Sequence, residues 1–143
     1  DTGEDEAELE RGFGGRMFVM AVGAIFLALN IAPTEEVVLI AAKISPVQAM
    51  LLSCVSLVLL YVVLRAANPD EDATAIHHAS RSFAGYGVCL ILSAGVLWVF
   101  GRMDGTTLDE ALESVIVLSF PAALGAGAAR LIFGEGKPDD RKA

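Results

Sequence analysis

The chain has 143 residues, 55% of them apolar and only 20% charged, yet its formal net charge is −8 and its mean hydropathy is +0.59. Such a hydropathy excludes a disordered chain and is rare in a small acidic soluble domain, so the charges must be segregated from long apolar runs, as in a membrane protein. The negative sum argues against a nucleic-acid partner, because phosphate neutralisation needs clustered Lys and Arg.

Residues 1–14 read as an acidic linker or arm, with six acids among the first ten. No basic segment followed by a short apolar core precedes a cleavage site, so the arm is not a signal peptide, and the chain is expected to be a fragment or processed product. The first apolar run, Met17–Ala32, stops at Pro33 after 16 residues. As a helix it would span only about 24 Å, short of the roughly 30 Å hydrocarbon core. A half-helix over 33–44 is predicted next, with Pro33 at its first position and Glu35 and Glu36 in its first turn. Ser45 caps the following helix, 46–65, whose first residue is Pro46. A third span covers 83–101. The fourth covers 108–133, entered through Thr107-Leu108-Asp109-Glu110, which has capping-box spacing. Residues 134–143 form a polar tail. The expected fold is all-α: a polytopic membrane helix bundle over 15–133, with four transmembrane helices (the first at 17–32) plus a short half-helix after the first.

Short connectors fix the path of the chain. Arg11, Arg16, Arg65, Arg81, Arg130, Lys137, Arg141 and Lys142 fall on one side, and only Lys43 and Arg102 on the other. That bias orients the first side, with both ends of this chain, toward the cytoplasm. Tyr86 and Trp98 suit opposite interfacial positions. Small residues at helical spacing, Ala24 with Ala28 and Gly125 with Ala129, predict close helix–helix packing. Pro121 is expected to bend the last helix, because it cannot donate to residue 117.

The stretch with chemistry in it is Asn30-Ile31-Ala32-Pro33-Thr34-Glu35-Glu36. A membrane helix broken at a proline and followed by a half-helix marks ion or substrate sites in transporters. Here Glu35, Asn30 and Thr34, supported by Glu36, could offer oxygen ligands to a small cation, or Glu35 could carry a proton. The alternative is structural: carboxylates in a helix's first turn stabilise it through the macrodipole and need no substrate. Membrane depth separates the two, since a break at headgroup level leaves both acids solvated. His77 and His78 read as a loop pair, Cys54 and Cys89 as apolar-run thiols, and no metal, cofactor or catalytic constellation is expected.

Three segments together, Asn30–Lys43, Phe100–Gly105 and Phe120–Ile132, resemble the C-terminal half of a bacterial family of integral membrane proteins known only as a domain of unknown function. The resemblance covers roughly Gly15 to Phe133 and is most specific at the N-x-A-P-T-E-E motif. It implies the bacterial inner membrane and an upstream membrane half as a partner, and it supplies no activity or site residues. Two functions follow as expectations. One is movement or coupling of a small cation or proton at the Pro33 break. The other is a non-catalytic accessory or scaffold subunit, packing through its small-residue faces against that upstream half or other membrane subunits, in an oligomer or complex within the lipid bilayer.

Overall fold

The computed structural model describes residues 2–67 and 74–133; the predicted tail at 134–143, with Lys137, Arg141 and Lys142, lies outside them. Five helices follow in order: α1 (Thr2–Ile31), α2 (Glu36–Ala41), α3 (Pro46–Ala67), α4 (Ala75–Val99) and α5 (Leu108–Phe133). No strand occurs among the described residues. Four segments are long and apolar enough to cross a membrane: Gly12–Ile31, Pro46–Ala67, Ala75–Val99 and Leu108–Phe133. The chain is an all-α bundle of an integral membrane protein.

Several local expectations change. α1 does not begin near Met17 but runs from Thr2, so its apolar stretch covers 20 residues rather than 16. At about 1.5 Å per residue that is a full span of about 30 Å. The physical reason is propagation. Glu, Ala, Leu and Arg are good helix formers, and extending an existing helix avoids the cost of nucleation, which carries α1 through Gly12, Gly14 and Gly15. Pro33 does not open a helix. The chain first closes a turn, with Thr34 N donating to Ile31 O at 3.0 Å, and α2 begins only at Glu36 with Glu35 as its N-cap. Thr34 Oγ1 donates to the same carbonyl at 2.7 Å, so this turn satisfies an orphan acceptor at the end of α1.

Other helix ends follow sequence chemistry. Ser45 N donates to Gln48 Oε1 (2.8 Å), and Gln48 N donates to Ser45 Oγ (3.3 Å), a reciprocal cap around Pro46. Thr107 and Glu110 make the same exchange before α5, at 3.0 and 3.4 Å. α4 ends at Val99, and Gly101 just beyond its cap Phe100 has a φ of 65°, which suits glycine. Gly101 N donates to Trp98 O and Arg102 N to Leu97 O, which is a Schellman closure.

α5 is the centre of the bundle and packs against each of the other four helices. Within its apolar window 56% of residues are buried, against 17–33% for the other three spans. Ala122, Ala123, Gly125, Ala126, Gly127 and Ala129 account for this, because small side chains let neighbours approach on several sides. Ala24 and Ala28 of α1 are fully buried. The tightest crossing lies beside them. A Cβ on Gly23 would strike the Gly125 carbonyl oxygen and come within 2.6 Å of Ala129 Cβ, and a Cβ on Gly125 would strike the Gly23 carbonyl oxygen. α5 runs as one helix through Pro121.

Several serines inside the bundle bond locally, whereas the buried Ser93 hydroxyl has no hydrogen-bond partner among the described residues. Ser56, Ser82 and Ser114 each donate to the carbonyl four residues earlier. Tyr86, expected at an interface, is instead buried and lies 3.0 Å from Ser119 Oγ. Ser119 donates its proton to Ile116 O, so Tyr86 is the donor to Ser119. Trp98, by contrast, is exposed at the last turn of α4. Phe18, Phe26, Val47, Met50, Ile91 and Ile132 are among the large apolar residues on the outer surface, which in a bilayer faces lipid.

Candidate functional site

The break between α1 and α3 is built from one turn and one short helix. Asn30 Nδ2 donates to Phe26 O at 2.6 Å and Thr34 Oγ1 donates to Ile31 O, so both polar side chains fold back on the backbone of α1. Their oxygen lone pairs stay available as acceptors. Glu35 and Glu36 are exposed; Glu35 makes no side-chain cap bond, and Glu36 lies in the first turn of α2. The opposite face of α2, Val37 and Ala41, is buried, and α2 packs on α5.

One residue missed by the sequence reading holds the break in place. Arg102, on the loop after α4, donates through Nη2 to the carbonyl of Pro33. This fastens the turn after α1 to the turn after α4. Both turns follow complete spans, of 20 and 25 residues. By length and composition, the break therefore follows a candidate first span of 20 residues rather than one of 16. Among the described residues no group of three or more His, Cys, Asp or Glu could hold a metal ion.

A second constellation occupies the opposite end. A cavity of about 20 Å³ lies between helices, lined by Arg16 of α1, Leu64 of α3, His78 and Arg81 of α4 and Arg130 of α5, with Met20 beside them. His78 is 5% exposed and Arg130 6% exposed. The expectation of a solvated loop pair is corrected here: His77 and His78 both lie in the first turn of α4, and His78 faces inward. The convergence escaped the sequence reading because the four basic residues come from three helices. Their only advance signal was the charge bias toward one side.

On the outer face of α1 and α5 an apolar groove of about 500 Å³ runs beside the Gly23–Gly125 crossing. Phe18, Val22, Phe26, Ala128 and Ile132 line it. A smaller apolar groove lies between α3 and α4 at Cys54, Tyr61 and Phe83.

No curated protein and no solved structure matches the chain. The family model described as "Putative integral membrane protein (DUF2391)" matches residues 1–133, and the chain, with three candidate spans packed on a fourth, small-residue central helix, belongs to that family.

Proposed function

We propose that this protein is a non-catalytic accessory or scaffold subunit of a larger membrane assembly, which receives a transmembrane helix of another subunit in the groove between α1 and α5. The observation that carries this reading is the groove itself. It is almost wholly apolar, and Ala128, a small residue exposed within it, lets a partner helix approach α5 closely. The basic bias toward the Arg16, Arg81 and Arg130 end supports that end as the cytoplasmic one, in a bacterial inner membrane. Ala128 is exposed in the groove, so enlarging it blocks the groove without disturbing the core. The test is native mass spectrometry of the protein released from its own membranes in mild detergent. Wild type is expected as a stoichiometric complex, and Ala128→Trp as the lone chain with an unchanged melting temperature. A wild type that is already a lone chain would remove the reading.

The second reading, movement or coupling of a small cation or proton at the Pro33 break, keeps one supporting observation. Asn30 Nδ2 and Thr34 Oγ1 each donate to an α1 carbonyl, which leaves their oxygen lone pairs available in the same segment as the exposed Glu35 and Glu36. Flux in liposomes that falls in the Glu35→Gln/Glu36→Gln double variant would favour it over the first.

A further inference from the structure

We propose that the helix received in the groove between α1 and α5 is α1 of a second copy of this chain, the two copies pairing about a two-fold axis along the membrane normal. This inference rests on the accessory-subunit reading and names the partner at the same groove.

α1 carries both halves of such a contact on one outer face. Phe18, Val22 and Phe26 are spaced four residues apart and are 69%, 51% and 66% exposed, so they stand as a ridge along the helix. The same three residues form the α1 wall of the groove, which α5 closes with Ala128, Ile132 and Phe133. Every residue lining the groove is apolar, as is every residue of the ridge. Helices associate by laying a ridge of one into the groove of another, and in a bilayer that packing is itself a driving force.

Because ridge and groove share a border, the patch is self-complementary. Under a two-fold axis the same patch serves on both copies, so each ridge enters the other copy's groove. The charge bias that orients one copy orients the other alike, which sets the axis along the membrane normal and makes the two α1 helices parallel. Ridge and groove must then match at equal depth, and they do. Ala128 is a small exposed residue between Leu124 and Ile132, one turn to either side, and it leaves a notch in the α5 wall. A Cβ on Gly23 would come within 2.6 Å of Ala129 Cβ, which puts that notch level with Val22, the lowest point of the ridge. The two copies therefore approach most closely at Val22, with Phe18 and Phe26 seated on either side of it. A groove for an unrelated helix needs no ridge of its own at its border, so this match favours a second copy.

The experiment uses the full chain in its own membranes. Every variant carries Cys54→Ser, which removes the exposed native thiol and leaves the buried Cys89. Val22→Cys is expected to give a disulfide-linked pair as the main product of mild oxidation, since thiols link only where their Cα atoms lie within about 7 Å. Met50→Cys, also exposed but on α3, is expected to be at least about tenfold less linked. Ala128→Trp added to Val22→Cys is expected to lower the linked fraction about tenfold by filling the notch. Phe18→Ala with Phe26→Ala, both on the exposed ridge, should have the same effect from the other side of the contact. Linkage in Val22→Cys no greater than in Met50→Cys overturns the pairing, and linkage that survives Ala128→Trp overturns the groove as its seat. Native mass spectrometry separates this failure from that of the accessory-subunit reading. A wild-type complex of one copy with a different protein, lost in Ala128→Trp, overturns the second copy and leaves that reading standing. A lone chain together with no linkage overturns both.

Discussion

Arg102 reaches across 69 sequence positions to donate to the carbonyl of Pro33, joining the turn after α1 to the turn after α4. The bond depends on two local devices. Gly101, at φ 65°, closes the Schellman turn that sends Arg102 off the end of α4, while the Pro33–Thr34 turn delays the start of α2 and leaves the Pro33 carbonyl outside any helix. A carbonyl at a helix break needs a partner, and here a cationic side chain supplies it.

Arg102→Ala is therefore expected to loosen the turn at residues 33–35 more than it weakens the bundle. Hydrogen bonds to charged groups contribute about 1.5–3 kcal/mol, and solvent exposure of this one brings the expectation down to about 1 kcal/mol. Hydrogen exchange at Thr34 and Glu35 should accelerate, while exchange in α5 stays unchanged. Equal protection in Arg102→Ala and wild type would mean that the bond does not hold the break.

The Gly23–Gly125 crossing predicts a sharp contrast among glycines. Gly125→Ala places a methyl against the Gly23 carbonyl, and overpacking of this kind costs about 1–3 kcal/mol. Gly87→Ala meets nothing within 4 Å and should be neutral, or stabilise by up to about 1 kcal/mol through helix propensity. Equilibrium unfolding in micelles should separate the two variants. Similar values for both would show that α1 and α5 can part at little cost.

The four spans were legible because each is an apolar run bounded by charge or proline, and the Ser45 cap and the Thr107–Glu110 capping box were legible because cap chemistry is local, although the return bond from Ser45 N to Gln48 Oε1 was not foreseen. Small-residue spacing found Ala24, Ala28, Gly125 and Ala129, yet passed over Gly23, one position away, which makes the closest approach. Spacing identifies a face, but the crossing point depends on the partner helix. The Arg102–Pro33 bond and the cleft of Arg16, His78, Arg81 and Arg130 were illegible for a related reason: each unites residues that only the bundle's topology brings together. The extension of α1 through Gly12–Arg16 was hidden because glycines and a charge imitate a boundary.

Tyr86 and Ser119 should respond unequally to deletion. Tyr86→Phe removes a donor and leaves Ser119 still bonded to Ile116, so the loss should be about 0.6 kcal/mol, the average for polar contacts between membrane helices. Ser119→Ala strands the Tyr86 hydroxyl in a buried position, which costs about 1–3 kcal/mol. Unfolding of the two single variants and the double variant should show the double close to Tyr86→Phe. Strictly additive losses would mean that the hydroxyls do not interact.

The two faces of α2 make opposite demands on a substitution. Glu35 and Glu36 are exposed, and a helix of six residues offers only a weak dipole for them to complement. Glu35→Gln with Glu36→Gln should therefore change stability by no more than about 0.5 kcal/mol. Val37, 3% exposed, belongs to the core cluster, and Val37→Asn would bury an amide with no partner provided for it. That should cost at least about 2 kcal/mol. Thermal unfolding checks the contrast, and flux in liposomes of the carboxylate double variant gives it functional meaning. For an accessory subunit the double variant should match wild type in both measurements. Unchanged stability with a loss of cation or proton flux would instead make the two carboxylates functional, since a helix-start role predicts no such separation.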